Sequence, residues 1–345
     1  MKIEIVFFNI PHLSVGRGGE VWESQVIEFL NKSGEFKAKL ITTDCCYIQD
    51  VAPAFEYKVI PLLKKIGLHL YKYDDVKEDL EGADIVYYFN SFIGSQLPIL
   101  KHINNINKII FGYHAKNDWN YVQRIYYKLL NYKIKNIGYH HVLTKYHYEI
   151  LLREGFKNVF QIPNFVDISE FRRIEKDKSL IVAPGVVSRE KGLYTLLKIA
   201  KVKKDLTIYV TGDRPPIKLP CNLRYVGKLD RREYVELLLR SSICIMPTYG
   251  EMFPITFLEC LASGNLVLAR DLPVLREISG GIESVDFASD DNEFLIKLEN
   301  FIKVLSDTRK FDFLSNRSIE RAKLFDKGIV LEKFKNKLLE IAGES

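Results

Sequence analysis

The sequence predicts an α/β protein made of two doubly wound, Rossmann-like domains. Three observations point there. Short apolar runs rich in Val, Ile and Phe alternate with spans of helical apolar spacing along most of the 345 residues. Strands alternating with helices in this way imply parallel sheets with right-handed crossovers. A polar, charged stretch within residues 171–178 interrupts the pattern, which then restarts. The length itself corresponds to roughly two domains.

In order, Ile3–Asn9 is predicted as a buried strand, followed by a turn with Gly16, Gly18 and Gly19 and a helix over Glu20–Asn31. Strands follow at Lys37–Thr42, Tyr57–Ile60, Ile85–Phe89, Ile109–Tyr113 and His141–Thr144. A helix over Tyr146–Glu154 stops at Gly155, and Val159–Ile162 leads into Pro163-Asn164. Beyond the charged stretch come strand Leu180–Ala183, helix Leu193–Lys201, strands Leu206–Thr211 and Leu223–Val226, and helix Arg231–Leu239. Strand Ile243–Met246, helix Ile255–Ala262, strand Leu266–Ala269 and helices Asn292–Leu305 and Ile329–Ile341 complete the chain. The predicted domains are residues 1–170 and 171–328, with ligands at the carboxyl ends of the strands.

Composition narrows the function. Fifty Lys+Arg against 44 Asp+Glu leave a net charge of +6, too mild an excess to indicate nucleic acid. The longest uncharged run, Ile85–Leu100, contains Asn90, Ser91, Gly94, Gln96 and Pro98, so no transmembrane helix is expected. The N-terminal apolar run carries Glu4 and is too short for a signal peptide. Five cysteines without C-x-x-C spacing suggest neither zinc nor a disulfide framework, and a cytoplasmic location is expected. Adjacent His140 and His141 would point to opposite faces of a strand, and no acidic D-x-D lies in a strand-end loop, so no metal site is expected. The G-x-G-x-x-G fingerprint of dinucleotide binding fails at Val21, which argues against a nicotinamide cofactor.

The most informative stretch is Pro247–Gly264, PTYGEMFPITFLECLASG. Glu251 falls in a loop after a buried strand, and Glu259 falls inside the following helix. That helix begins near Pro254-Ile255, and its unpaired N–H groups form an anion or sugar-oxygen site. Glu259 is flanked by Phe257, Leu258, Leu261 and Ala262, so its carboxylate needs a partner. A loop carboxylate can accept from sugar hydroxyls, and one in the helix can grip a ribose diol; a merely solvated pair is the alternative.

Glu251-x7-Glu259 with Ala262-x-Gly264 resembles the donor-binding signature of retaining glycosyltransferases of the GT-B fold, family 4 (glycosyl transferases group 1). Pro184-Gly185 through Lys191-Gly192 resembles that family's phosphate loop; Gly212-Asp213 and Asp271–Glu277 match its neighbouring strand ends. Gly18-Gly19-Glu20, the strand-end His114, and Ile162–Asp167 match its first half and its crossing between domains. The resemblance implies two Rossmann-like domains facing a central cleft, with the helix at about 329–345 packing back on the first. It further implies transfer of a hexose-type sugar from a nucleotide diphosphate sugar to a glycan, lipid-linked or other hydroxyl acceptor, without metal or cofactor. In that scheme Glu251 and the backbone of Met252, Phe253, Pro254 and Ile255 hold the sugar, and Glu259 binds the ribose. Lys191 neutralises the diphosphate, Gly18 and Gly19 admit it, and His114 lies at the reaction centre. The leaving phosphate accepts the acceptor's proton, and configuration is retained.

Two positions depart from the family. Val186 stands where an arginine is usual, and Arg189 is the candidate replacement. Met252 stands where glycine is usual, which would narrow the sugar pocket, change the donor or mark decayed activity. Two alternatives stay open: a non-catalytic sugar-nucleotide or glycan-binding protein, and a sugar-nucleotide epimerase on the same fold. The segment Asp118–Lys135 mixes Tyr and Trp with Arg124, Lys128, Lys133 and Lys135, and its apolar stripe is Val122, Ile125, Leu129 and Tyr132. The stripe is read first as packing on the sheet, and secondly as peripheral contact with anionic membrane. Loops Arg214–Pro220 and Asp44–Ala54 are the expected specificity loops.

Overall fold

The computed structural model describes residues 2–9, 18–43, 55–61, 63–65, 68–89, 96–114 and 121–343. Gly16, the loop 44–54 and Asp118 lie outside them. The chain divides into two compact units, Met1–Pro163 with Val330–Ser345, and Asn164–Ile329.

The first unit runs β1 (Ile3–Asn9), α1 (Gly18–Ser33), β2 (Phe36–Thr43) and β3 (Tyr57–Ile60), then an antiparallel hairpin of β4 (Leu63–Lys65) and β5 (Leu68–Leu70). It continues with α2 (Lys77–Glu81), β6 (Ile85–Phe89), α3 (Gln96–Leu100), β7 (Ile109–Gly112), α4 (Tyr121–Ile134), β8 (Tyr139–Val142), α5 (Lys145–Arg153) and β9 (Val159–Gln161). Seven of these strands form a sheet in the order β3-β2-β1-β6-β7-β8-β9, every pair parallel. β1 and β6 are buried on both faces, as an apolar run covered by helices on either side should be. Thr144 caps α5 by accepting from the His147 N–H at 3.2 Å.

The second unit runs β10 (Ile181–Pro184), α6 (Leu193–Val202), β11 (Ile208–Thr211), β12 (Leu223–Gly227), α7 (Arg231–Arg240), β13 (Ile243–Met246), α8 (Ile255–Ala262) and β14 (Leu266–Arg270). After α9 (Pro273–Ser279), β15 (Val285–Ala288), α10 (Asp291–Leu305) and α11 (Thr308–Lys323), α12 (Lys327–Gly343) joins the first unit from Val330 onward. The parallel sheet order is β12-β11-β10-β13-β14-β15. Its core combines Ile181, Leu196, Val210, Ile245 and Leu268 with Phe294 and Leu298 of α10. The hairpin, α2, α3, α9, β15 and α11 are absent from the sequence prediction because each is short or, in α11, mostly polar.

The division falls at Pro163/Asn164, upstream of the charged stretch expected to separate domains at 170/171. Hydrogen bonds explain the difference. Val166 N–H donates to Phe325 O at 3.0 Å, and Lys327 N–H donates to Val166 O at 2.9 Å. Lys176, within the stretch, is half-buried and donates to Ser241 O at 2.6 Å and Asn265 Oδ1 at 2.7 Å. Residues 164–178 are therefore fastened to the second unit. The helix 121–134 also differs from expectation: Leu129 and Tyr132 are 63% and 73% exposed, whereas Leu130 is 4% exposed. Leu130 and Ile134, one turn apart, are the buried residues among 128–134, and the side chains of Val122, Arg124 and Ile125 lie outside those described.

Candidate functional site

Each sheet has one point where the strand order reverses, and loops leaving the two flanking strands diverge there. In the second unit that point lies between β10 and β13. The loop after β10 carries Gly185–Gly192, and the loop after β13 carries Pro247–Pro254. Their approach depends on Gly192, whose φ of +85° is left-handed and whose added Cβ would stand 2.3 Å from Pro247 O. Tyr249 N–H donates to Glu190 O at 2.9 Å, which joins the loops.

This joint brings together two of the predicted residues. Lys191 Nζ donates to Glu251 Oε1 at 2.6 Å, and Thr248 Oγ1 donates to the same oxygen at 2.9 Å. Glu251 Oε2 makes no hydrogen bond among the described residues. No side chain caps α8 at Pro254, and Phe257 N–H donates to Pro254 O at 3.1 Å, so the N–H groups of Ile255 and Thr256 are the first-turn donors left open to an anion or hydroxyl oxygen. Phe253 is buried edge-on to Phe325 at 5.7 Å, and its carbonyl accepts from Asn164 Nδ2 at 2.9 Å. Met252 and Ile255 are half-buried beside it.

Glu259 is 6% exposed and has the partner its apolar helix requires. Arg231, at the start of α7, bridges Glu259 Oε1 to Glu170 Oε2, and Tyr234 Oη donates to Glu259 Oε2 at 3.1 Å. Burial, with Glu259 beside it, pushes the Tyr234 phenol well above its ordinary pKa, so it remains a donor. Asp230 and Glu233 form a capping box that fixes the first turn of α7 and hence Arg231. Sequence reasoning missed Arg231, Tyr234 and Thr248. Arg189 is exposed; its carbonyl accepts from Gly192 N–H at 3.0 Å, and its guanidinium makes no hydrogen bond or ion pair among the described residues. Val186 is 3% exposed and belongs to the sheet-helix core, so this departure from the family serves packing.

The first unit carries the other predicted residues. Gly18 and Gly19 open α1, whose loop follows β1 at that sheet's own reversal point, between β1 and β6. His114 follows β7 and is half-buried among rings. It stacks on Phe89 with centroids 4.4 Å apart and lies 4.3 Å from Trp22 of α1. Its Nε2 is 2.7 Å from Tyr87 Oη, which is 2.6 Å from His141 Nδ1. Desolvation, and His141 nearby, hold the His114 pKa well below the ordinary imidazole value. His140 and His141 do point to opposite faces: His140 stacks on Phe111 at 5.5 Å, and His141 on Phe160 at 5.0 Å. Phe334 of α12 completes this cluster, 5.6 Å from Trp22 and 5.4 Å from His141. Among the described residues no group of three or more His, Cys, Asp or Glu is placed to hold a metal ion, and no helix is long and apolar enough to cross a membrane.

Comparison with known proteins bears on the fold and on the second unit. The whole chain superposes on GT-B glycosyltransferase structures: sucrose-phosphate synthase from Thermosynechococcus elongatus, with a TM-score of 0.79 and 15% identity, 100% of each chain being covered. Anabaena HepE in complex with UDP-glucose gives a TM-score of 0.75 and 12% identity, over 98% of this chain and 99% of that one. The architecture is α/β GT-B. Residues 178–304 match the family described as "Glycosyl transferases group 1". A curated relative, the alpha-galactosylglucosyldiacylglycerol synthase of Streptococcus pneumoniae (strain ATCC BAA-255 / R6), is 24% identical over 157 residues. That match spans 36% of this chain and 41% of the relative's length. Together these findings show the GT-B fold and a likeness of residues 178–304 to group 1 glycosyltransferases.

Proposed function

We propose that the protein is a retaining glycosyltransferase that moves a hexose from a nucleotide diphosphate sugar to a hydroxyl acceptor, without metal or cofactor. The observation that carries this reading is the meeting of Lys191 and Glu251 at the reversal point of the second sheet, 2.6 Å apart. Lys191 supplies a cation for the diphosphate, and Glu251 Oε2 is an acceptor for a sugar hydroxyl. The open N–H groups of α8 face the same chemistry, with Met252, Phe253, Pro254 and Ile255 as the backbone of the sugar site. Glu259 takes the ribose diol, oriented by Arg231 and Tyr234; Arg189 is a second cation for the phosphates. In the first unit, Gly18 and Gly19 leave backbone N–H groups accessible to phosphate, and His114 accepts from a substrate hydroxyl.

In the reaction, the bond from the anomeric carbon to the diphosphate oxygen breaks, and the acceptor oxygen bonds that carbon from the same face. The acceptor's proton passes to the leaving phosphate oxygen. HepE was solved with UDP-glucose, which supports a UDP-hexose as the first donor to try. The pneumococcal relative, named as a synthase of a glycosyldiacylglycerol, supports a lipid-linked acceptor. So does the exposed pair Leu129 and Tyr132 among Lys128, Lys133 and Lys135, a face suited to the anionic cytoplasmic surface of a membrane.

The test is turnover of a labelled donor by wild type and Glu251→Ala. Loss of roughly a hundredfold or more, with an unchanged circular dichroism spectrum, is expected when a group acting on the reacting sugar is removed. An alanine variant with full activity contradicts the assignment.

A further inference from the structure

The hydrogen-bond line through Tyr87 determines every proton along it. The Ile162 carbonyl can only accept, and it lies 2.8 Å from His141 Nε2. His141 Nε2 therefore carries a hydrogen. His141 is fully buried, and burial lowers its pKa to about 4 despite that hydrogen bond, so the ring is neutral and Nδ1 is a lone pair. Tyr87 Oη, 2.6 Å from this Nδ1, donates its only hydrogen there. The phenol oxygen can then only accept from His114 Nε2 at 2.7 Å. His114 is thereby the Nε2–H tautomer, and its Nδ1, which makes no hydrogen bond among the described residues, is the lone pair.

The fold reserves space for this line. Tyr87 is fully buried between Phe7, at 5.2 Å, and Phe334, at 5.7 Å. A Cβ added at Gly112 of the neighbouring β7 would stand 2.3 Å from Tyr87 Oη and 2.6 Å from Cζ. The phenol thus lies across a position that only glycine leaves empty. Burial, and after it the Glu23 carboxylate, favour the protonated phenol of Tyr87; Lys337 of α12 stands over the Phe160 ring behind His141, at 5.7 Å.

We propose that Tyr87 and His141 are positioning residues that hold His114 in the Nε2–H tautomer, presenting Nδ1 as a fixed acceptor for a hydroxyl of the sugar substrate. This inference rests on the transferase reading for its consequence, and on the geometry of the first unit alone for the tautomer.

The experiment is nitrogen-15 NMR of histidine-labelled full-length protein without donor. Wild-type His114 is expected to show Nε2 protonated and Nδ1 bare, unchanged from about pH 5.5 to about pH 8. In His141→Phe, Tyr87 has lost its acceptor and turns its hydrogen to His114 Nε2, so the tautomer reverses. In Tyr87→Phe the single tautomer is lost. Turnover in His141→Phe should fall about tenfold or more in kcat, with the donor KM moved less than about twofold. A wild-type His114 protonated at Nδ1, or the same tautomer in both variants as in wild type, overturns the proposal. Should neither variant fold, the wild-type spectrum alone decides. Failure of every nucleotide to bind would refute the transferase reading and leave the tautomer result standing.

Discussion

The two units hold their candidate residues by opposite means. In the second unit the groups are charged and paired: Lys191 with Glu251, and Arg231 with both Glu170 and Glu259. In the first they are neutral and enclosed, with His114, Tyr87 and His141 set among Trp22, Phe89, Phe160 and Phe334. The difference suits different tasks. Lys191, about half exposed, can exchange its contact with Glu251 for a charged ligand at little cost, while the buried Glu259 keeps its partner. A buried neutral line cannot rearrange without leaving a polar atom unpaired, so it keeps one geometry.

The largest stability effect expected is in the first unit. Phe334→Ala removes the ring that touches Trp22, Tyr87 and His141, and should cost about 3–5 kcal/mol by urea unfolding. A cost below about 1 kcal/mol would mean that α12 contributes little to that cluster.

Acidification should also strike the first unit. His140 and His141, both fully buried, have pKa values lowered to about 4 by desolvation. The unfolded chain, at about 6.5, takes up these protons first, so their stabilisation is whole above pH ~6.5 and lost as pH falls towards ~4. The slope is about 1.4 kcal/mol per pH unit for each histidine. Melting curves between pH 7 and pH 5 that show no loss would contradict neutral burial.

Gly192→Ala tests the joint in the second unit. A methyl against Pro247 O on a left-handed backbone should cost about 1–3 kcal/mol and separate Lys191 from Glu251. Weakened nucleotide binding beyond the loss of stability would confirm that the glycine sets the site; undiminished binding would show that it does not.

The smallest effect belongs to the surface triad of Asp79 with Lys39 and Lys58. Burial alone would raise the Asp79 pKa, but hydrogen bonds from Lys39 and Lys58 outweigh it and lower the value. Its stabilisation is present above the ordinary carboxylate range and lost as pH falls below it. Lys58→Ala should cost only about 0.2–1 kcal/mol, shrinking with added salt.

What the sequence disclosed follows from how local each signal is. The strands of both sheets are legible because fully buried parallel strands are near-continuous apolar runs. The need of Glu259 for a partner is legible from its apolar neighbours; that the partner is Arg231 is not, since α7 and α8 meet only through the fold. Tyr87 and His141 are invisible for the same reason. They read as two aromatic strand residues, and only the strand order places them on either side of β7. The exposed face of α4 was misjudged because apolar residues occur at Leu129, Leu130, Tyr132 and Ile134, so spacing alone does not choose a side.

The central claim, that the second unit binds a nucleotide diphosphate sugar through Lys191 and Glu251, is tested most directly by thermal stabilisation. A ligand bound only by the native state raises Tm by mass action, and no acceptor need be known. Nucleoside diphosphates and their sugars, UDP and UDP-glucose first, should raise the Tm of wild type, and Lys191→Ala should lose most of that shift. No shift with any of them in folded wild-type protein, or an equal shift in the alanine variant, would contradict it.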